Sequence, residues 1–316
     1  MRALVATGTA ERPLALREVD PPSPAPDQPI LGVRAVSLNR GEVRLLGSRP
    51  AGWRPGQDVA GTIVRAAVDG SGPPVGTRVV ALVDQAGWAE QVAVPPTRLA
   101  PLPDGVSFSQ AATLPVAGLT ALRALRLGGM LLGRSVLVTG ASGGVGHLAV
   151  QLAARQGARV TAVVRQAGRG RALLGAGQVE LAQDITALRG PYDLILESVG
   201  GDSLSVALRL VARDGTVAVF GNSSGQDSTV GFGTFAGRAH ARLYAFFVYE
   251  SGEPPTFGAD LGLLAHEIAA GRLEPQVGLQ ASWEHPEPVV DALRQRTFEG
   301  KAVLTIGDEG QGTGDK

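Results

Sequence analysis

Four glycines at positions 140, 143, 144 and 146 separate a β-branched run, Ser135–Thr139, from a segment whose apolar residues recur at Val145, Leu148, Ala149, Leu152 and Ala153. The hydrophobic period changes there from that of a buried strand to that of a helix. Gly140 suits a tight turn, Gly143 lets backbone approach a pyrophosphate, and Gly146 lets the helix lie close to the strand. With Ser142, Gly144 and Val145 they form a loop whose amides, at the positive end of a helix, suit phosphate groups. Gly157 supplies the helix stop, and a second β-branched run, "ARVTAVV", follows. A glycine triplet alone is a weak signal, but strand, turn, helix and strand in order within roughly 30 residues read as a dinucleotide site. The competing reading is that the glycines only connect a structural strand and helix.

The residues after the second strand select the dinucleotide. An acid there would take the ribose hydroxyls of NAD, whereas this chain has Arg165, Arg169 and Arg171 and no acid in the loop. Guanidinium groups fork onto a 2′-phosphate, so the sequence predicts NADP(H). A solvated basic helix start is the alternative.

Cysteine is absent, which removes disulfides, thiolate nucleophiles and thiolate metal sites together. His147, His240, His266 and His285 show no metal-ligand spacing, and His147 lies in the nucleotide-site helix, so all four are expected to be structural or surface residues. Twenty-nine basic residues balance 29 acidic ones, which leaves no field for a polyanion, and neither nucleic acid nor membrane is an expected partner. No window approaches about 18 uninterrupted apolar residues, so neither export nor membrane spanning is indicated and a cytoplasmic protein is expected.

These residues need elements to hold them. The 316 residues suit about two domains, and usage of 44% hydrophobic against 18% charged residues is globular. Up to about residue 105 the chain is Pro- and Gly-rich, with short apolar runs such as "ILGVRAVSL", "DVAGTIVRAAV" and "TRVVALV", a pattern of a compact, mostly β, barrel-like unit. From about 115 to 250 short strands alternate with helical patterns, which calls for a parallel sheet with crossover helices. A helix at "GADLGLLAHEIAAGRL" and a last strand in "GKAVLTI" follow, and that strand is expected to return to the first domain. The predicted α/β organisation is therefore 1–114 with 256–316, and 115–255. The polar tail "GDEGQGTGDK" is expected to fray.

Taken in order, "VRAVSLNRGEVRLL", "PGQDVAGTIV", "VGTRVVAL", "GWAEQVAVP", "LPDGVSFSQAATLPVAGLTALRAL", "VLVTGASGGVGHLAVQLA", "YDLILESVGG" and "GKAVL" resemble the medium-chain dehydrogenase/reductase superfamily over about residues 1 to 306. Within it the chain is similar to the zinc-independent quinone oxidoreductase-like branch. The resemblance implies a GroES-like catalytic domain completed by the C-terminal segment, a doubly wound Rossmann domain, and a cofactor in the cleft. Related alcohol dehydrogenases polarise a carbonyl with zinc held by Cys, His and an acid, a ligand set this chain cannot build.

The site residues carry over one by one. Asn39 matches the position whose amide reaches the substrate or nicotinamide, and Asp58 and Gly61 match a stretch near it; an Asx-type turn and a packing role are the alternatives. Enoyl reductases of the superfamily often carry a proton-donating Tyr directly after that Asn, and here the position is Arg40, which stays charged. That leaves water, or electrostatic help from Arg40, to complete protonation, unless Arg40 simply faces solvent. Val116 and Thr120 are placed beside the nicotinamide. Ser198, Val199 and Gly200 end one strand and Asn222 and Ser223 the next, at the strand ends where open α/β sheets bind ligands; ordinary turn chemistry is the alternative. Lys301 resembles the family's late basic residue near the cofactor, or else is solvated.

The expected activity is NADPH-dependent, metal-free reduction of a quinone or an α,β-unsaturated carbonyl, whose conjugation spreads developing charge onto oxygen. An NADPH-binding sensor with little turnover, or a tailoring reductase of a secondary pathway acting on a large polycyclic substrate, remains open. "RLYAFFVYE" reads either as a fully covered strand or as the edge along which a homodimer pairs its sheets.

Overall fold

The computed structural model describes residues 1–166, 168–251 and 256–307. The Gly-rich tail and the predicted junction at 255 lie outside them. In chain order the elements are β1 (Arg2–Ala6), β2 (Leu14–Glu18), β3 (Ile30–Leu38), α1 (Arg40–Leu45), β4 (Asp58–Arg65), β5 (Arg78–Leu82), β6 (Gln91–Ala93), β7 (Leu99–Pro101), α2 (Phe108–Ala112) and α3 (Pro115–Arg126). There follow β8 (Ser135–Thr139), α4 (Gly144–Arg155), β9 (Arg159–Val163), β10 (Val179–Ala182), β11 (Tyr192–Glu197), α5 (Gly201–Leu210), β12 (Val211–Val219) and β13 (Arg242–Ala245). The chain ends with α6 (Phe257–Ala269), β14 (Val277–Ser282), α7 (Glu287–Gln295) and β15 (Lys301–Thr305). It divides into two compact units, Met1–Val116 with Pro254–Lys316, and Ala117–Glu253. The first division falls in the opening turn of α3, two residues beyond the predicted position.

Unit 1 is a seven-stranded sheet, β14-β15-β3-β4-β5-β7 with β6 on β3, antiparallel except for the β14–β15 pair, plus the β1–β2 hairpin. Leu4 N–H bonds to Trp88 O and ties the hairpin to the chain before β6. Strand β15 inserts between β14 and β3, so the last strand completes the N-terminal sheet. Its Ala302 and Leu304 join Leu31, Val36, Val59, Val79 and the fully buried Trp88 and Trp283 in one core. The barrel-like unit read from the Pro/Gly-rich first third is this mixed sheet wrapped on that core.

Unit 2 is a six-stranded parallel sheet ordered β10-β9-β8-β11-β12-β13. Its first strand is central, its second and third lie on one side, and its fourth to sixth on the other, which is the doubly wound Rossmann order with a switch point between β8 and β11. Of the two readings of "RLYAFFVYE", the covered strand fails: β13 is an edge strand, all four of its residues are exposed, and Leu243, Tyr244 and Phe247 are 45%, 46% and 60% accessible. Among the described residues no helix is long and apolar enough to cross a membrane.

Candidate functional site

At the switch point β8 runs into Gly140, whose φ of +61° is left-handed and favours glycine. Gly143 N–H closes the turn onto Gly140 O at 2.9 Å, and α4 starts at Gly144. The glycines differ in what requires them. A Cβ on Gly146 would lie 2.4 Å from Gly140 O and 2.7 Å from Ala141 Cα, both backbone, so helix and strand touch only through glycine. Gly143 is exposed with an ordinary φ of −87°, and its Cβ would meet only Gly140 O at 3.2 Å. Packing explains Gly146; at Gly143 a side chain would mainly occupy the space over the helix start. Ser142 and Val145 are half-buried beside it.

The C-terminal ends of the neighbouring strands carry several of the other predicted cofactor residues. Ala141 N–H donates to Val163 O, which sets the end of β9 beside the loop, and Arg165 and Arg171 beyond it are exposed. Arg169 is half-buried, and its Nε donates to Gln166 Oε1. On the far side of the switch point, Ser198 Oγ donates to Thr139 O at 3.2 Å, Ser223 N–H to Ser198 O and Ser224 N–H to Val199 O. Gly200, at φ +74°, opens α5. The Asn222 carbonyl accepts from Ser224 Oγ and Gly225 N–H, so its side chain also builds its own turn.

Glu197, which sequence reasoning passed over, ties these loops together. It is fully buried at the end of β11; Oε1 accepts from Thr139 Oγ1, Val199 N–H and Ser203 Oγ, and Oε2 from Gly200 N–H. A buried carboxylate is tolerable only when hydrogen-bonded in this way. Its signal is an acid closing the apolar run "LIL" at the end of β11. His147, 1% exposed on α4, has Nδ1 3.0 Å from Gly143 O. A carbonyl only accepts, so that nitrogen carries the proton.

Unit 1 holds a second polar group, at the end of β3. Ser37 pairs with Asp58 and Leu38 with Ala302, so the starts of β4 and β15 arrive where β3 gives way to Asn39, the N-cap of α1. Lys301 Nζ donates to Leu38 O at 3.1 Å, Asn39 Oδ1 at 2.5 Å and Asp58 Oδ2 at 3.1 Å. Asn39 Nδ2 donates to Asp58 Oδ2 at 2.9 Å and to Glu42 Oε2 at 3.0 Å, while Val116 N–H donates to Asp58 Oδ1 at 2.8 Å. Asp58 and Lys301 are 0% and 4% exposed. Lys301 is thus not a solvated lysine, and its three N–H groups already have acceptors, which leaves none for direct contact with a cofactor. Both N–H bonds of the Asn39 amide are likewise taken. Val116 belongs to this group, whereas Thr120, 5% exposed on α3, lies in unit 2; Arg40 is exposed at the first turn of α1.

Glu42 is the member that sequence reasoning missed, although Asn39-x-x-Glu42 has capping-box spacing. Its Oε2 also accepts from Asn39 N–H at 3.0 Å, and Oε1 is buried with no hydrogen-bond partner among the described residues. Burial above all, with the Asp58 charge, pushes its carboxyl up to about 8, against the pull of Asn39 and Lys301.

A doubly wound sheet with a glycine loop at its switch point, in a chain whose last strand completes a mixed N-terminal sheet, defines a two-unit dehydrogenase fold. A family model described as zinc-binding dehydrogenase matches residues 144–265. A chloroplast envelope quinone oxidoreductase homolog of Arabidopsis thaliana is 31% identical over 63% of this chain and 68% of its own length. The Spectinabilin polyketide synthase system protein NorB of Streptomyces orinoci is 34% identical over 89% of this chain, and the chain spans 13% of that synthase's length. The quinone oxidoreductase of Escherichia coli, solved in complex with NADPH, superposes with a TM-score of 0.84 at 21% identity, over 97% of this chain and 100% of that one. The chain belongs to the medium-chain dehydrogenase/reductase superfamily, in its quinone oxidoreductase-like branch.

Proposed function

We propose that this chain is a cytoplasmic, NADPH-dependent, zinc-independent reductase that delivers hydride to a quinone or an α,β-unsaturated carbonyl, with unit 2 as its NADP(H)-binding domain and unit 1 as its catalytic domain. The observation that carries the cofactor is the loop 140–146, where the space above Gly143 is not demanded by packing and Arg165 follows the next strand. The complex of the E. coli relative with NADPH supports the same reading. The Gly144 and Val145 amides in the first turn of α4 would face the pyrophosphate, Arg165 with Arg169 and Arg171 the 2′-phosphate, and the turns at Ser198–Gly200 and Asn222–Ser223 the far side. When bound, the nicotinamide supplies the hydride.

Independence from zinc rests on the donor set. Cysteine is absent, and both Asp58 oxygens already accept hydrogen bonds, one of them from a buried ammonium. A carboxylate so held is a framework anion for Asn39 and the Val116 turn. Without a Lewis acid, a conjugated acceptor is favoured because its charge develops on an oxygen that solvent can protonate. Arg40 supplies positive potential there without giving up a proton.

The test is anaerobic oxidation of NADPH, and separately NADH, against matched 1,4-quinones, enones and simple ketones. Turnover of quinones or enones but not ketones supports the reading; equal turnover of ketones overturns it. The polyketide synthase relative favours the enoyl acceptor. Tight NADPH binding with no oxidation across the panel favours the sensor, which the replacement of Tyr by Arg40 makes a specific second reading. We further propose a homodimer paired along β13, whose apolar edge is otherwise an aggregation hazard; a monomeric mass at micromolar concentration refutes it.

A further inference from the structure

The cluster at the end of β3 contains two carboxyl groups and one ammonium, all buried: Glu42 is 3% exposed, Asp58 0% and Lys301 4%. Two anions facing one cation in such a place are unfavourable, and a proton on either acid removes the imbalance. The partners decide which acid takes it. Asp58 accepts from an ammonium, from Asn39 and from the Val116 backbone. Among the described residues Glu42 accepts only from Asn39, through Oε2, and Oε1 has no hydrogen-bond partner. A neutral carboxyl keeps both Asn39 bonds on its carbonyl oxygen and places its hydroxyl on the oxygen that accepts nothing.

We propose that Glu42 is held as a neutral carboxylic acid in the folded protein, protonated on Oε1, and that it is a positioning residue which keeps the Asn39 amide between two acids of which only Asp58 is charged. Loss of that proton sets a second buried anion against Asp58 across one amide group, so Asn39, and through it the start of α1 with Arg40, becomes pH-dependent. The upward displacement of the Glu42 carboxyl, to about 8, agrees with this geometry. Other charged groups on the elements packed here are peripheral. Arg40 and Arg44 on α1 and Arg34 on β3 are exposed; α7, which packs on α1, brings half-buried Glu287 and exposed Asp291 and Arg294; α2 carries no titratable side chain.

The catalytic consequence rests on the function proposed above, whereas the protonation does not, so the two are tested apart. Infrared difference spectra of the full chain, wild type minus Glu42→Gln, are expected to show a carboxylic-acid C=O band at pH 6.5 that fades as pH rises through about 8. Absence of that band at pH 6.5 overturns the proposal. If E42Q does not fold, the 13Cδ resonance of Glu-labelled wild type gives the same titration, and a glutamate midpoint near the ordinary value for every residue overturns it equally. For positioning, wild-type kcat is expected to fall at least threefold between pH 7 and 9.5 with KM for NADPH unchanged, while the E42Q profile stays flat. Parallel profiles overturn that half. A protein with no turnover fails the reductase reading and leaves the infrared band to judge the proton.

Discussion

Lys301→Met is the most informative single substitution in unit 1. Lys301 Nζ lies 3.1 Å from Asp58 Oδ2, and the side chains are 4% and 0% exposed, so neither charge is compensated by water. Methionine preserves much of the stem and removes the ammonium. Asp58 then keeps only the Asn39 and Val116 N–H groups, while Leu38 O and Asn39 Oδ1 lose their donor. Breaking a buried pair from one side costs about 3–5 kcal/mol, most of it the uncompensated charge left behind. Asp58→Asn in the same chain removes that charge yet keeps an oxygen for Val116 N–H, so the double variant is expected to recover about 2 kcal/mol of the loss. Urea unfolding followed by tryptophan fluorescence measures this, because Trp53, Trp88 and Trp283 all lie in unit 1. A loss under about 1 kcal/mol for K301M, or a double variant no more stable than K301M, refutes the assignment of a strong buried pair.

Gly146→Ala forces backbone apart and is expected to cost about 1–3 kcal/mol and to weaken NADPH binding at least tenfold, whereas Gly143→Ala weakens binding with little loss of stability; thermal melts with and without NADPH separate the two. Replacing Arg165 and Arg169 by Ala is expected to weaken NADPH binding far more than NADH binding by fluorescence titration, and equal losses would sink the 2′-phosphate assignment. Because the Glu42 carboxyl is raised from 4.5 to about 8, the folded chain holds a proton between those values that the unfolded chain has lost. Stability from this group is therefore complete below pH 4.5 and declines as pH rises to about 8, by no more than about 5 kcal/mol; denaturation of E42Q is expected to lack that decline.

The Rossmann unit was largely legible in the sequence because its signals are local. A β-branched run, a glycine turn, a helical period and another β-branched run lie within one short segment, and each reports on its neighbours. Gly140 and Gly146 do what their spacing implied, one through a left-handed φ and the other through contact with backbone. The exposed edge at β13 was not legible: "RLYAFFVYE" is as apolar as a covered strand, and only the strand order shows that no strand of the described residues of unit 2 lies beyond it.

The polar group of unit 1 was half legible, for a physical reason. Asn39, Asp58 and Lys301 were each picked out, but singly, because they are joined by strand register over separations of 19 and 243 residues and by no local period. Pairing of Leu38 with Ala302 and of Ser37 with Asp58 forces the three into one place, and a one-residue slip of β15 would turn Lys301 to the other face of its strand. The charge balance of the cluster is therefore a property of the sheet and not of any motif. Glu42 shows the consequence: taken locally it is a capping-box acid beside arginines in "NRGEVR", and only the arrival of Asp58 from another strand, with burial, makes it the acid that must take a proton.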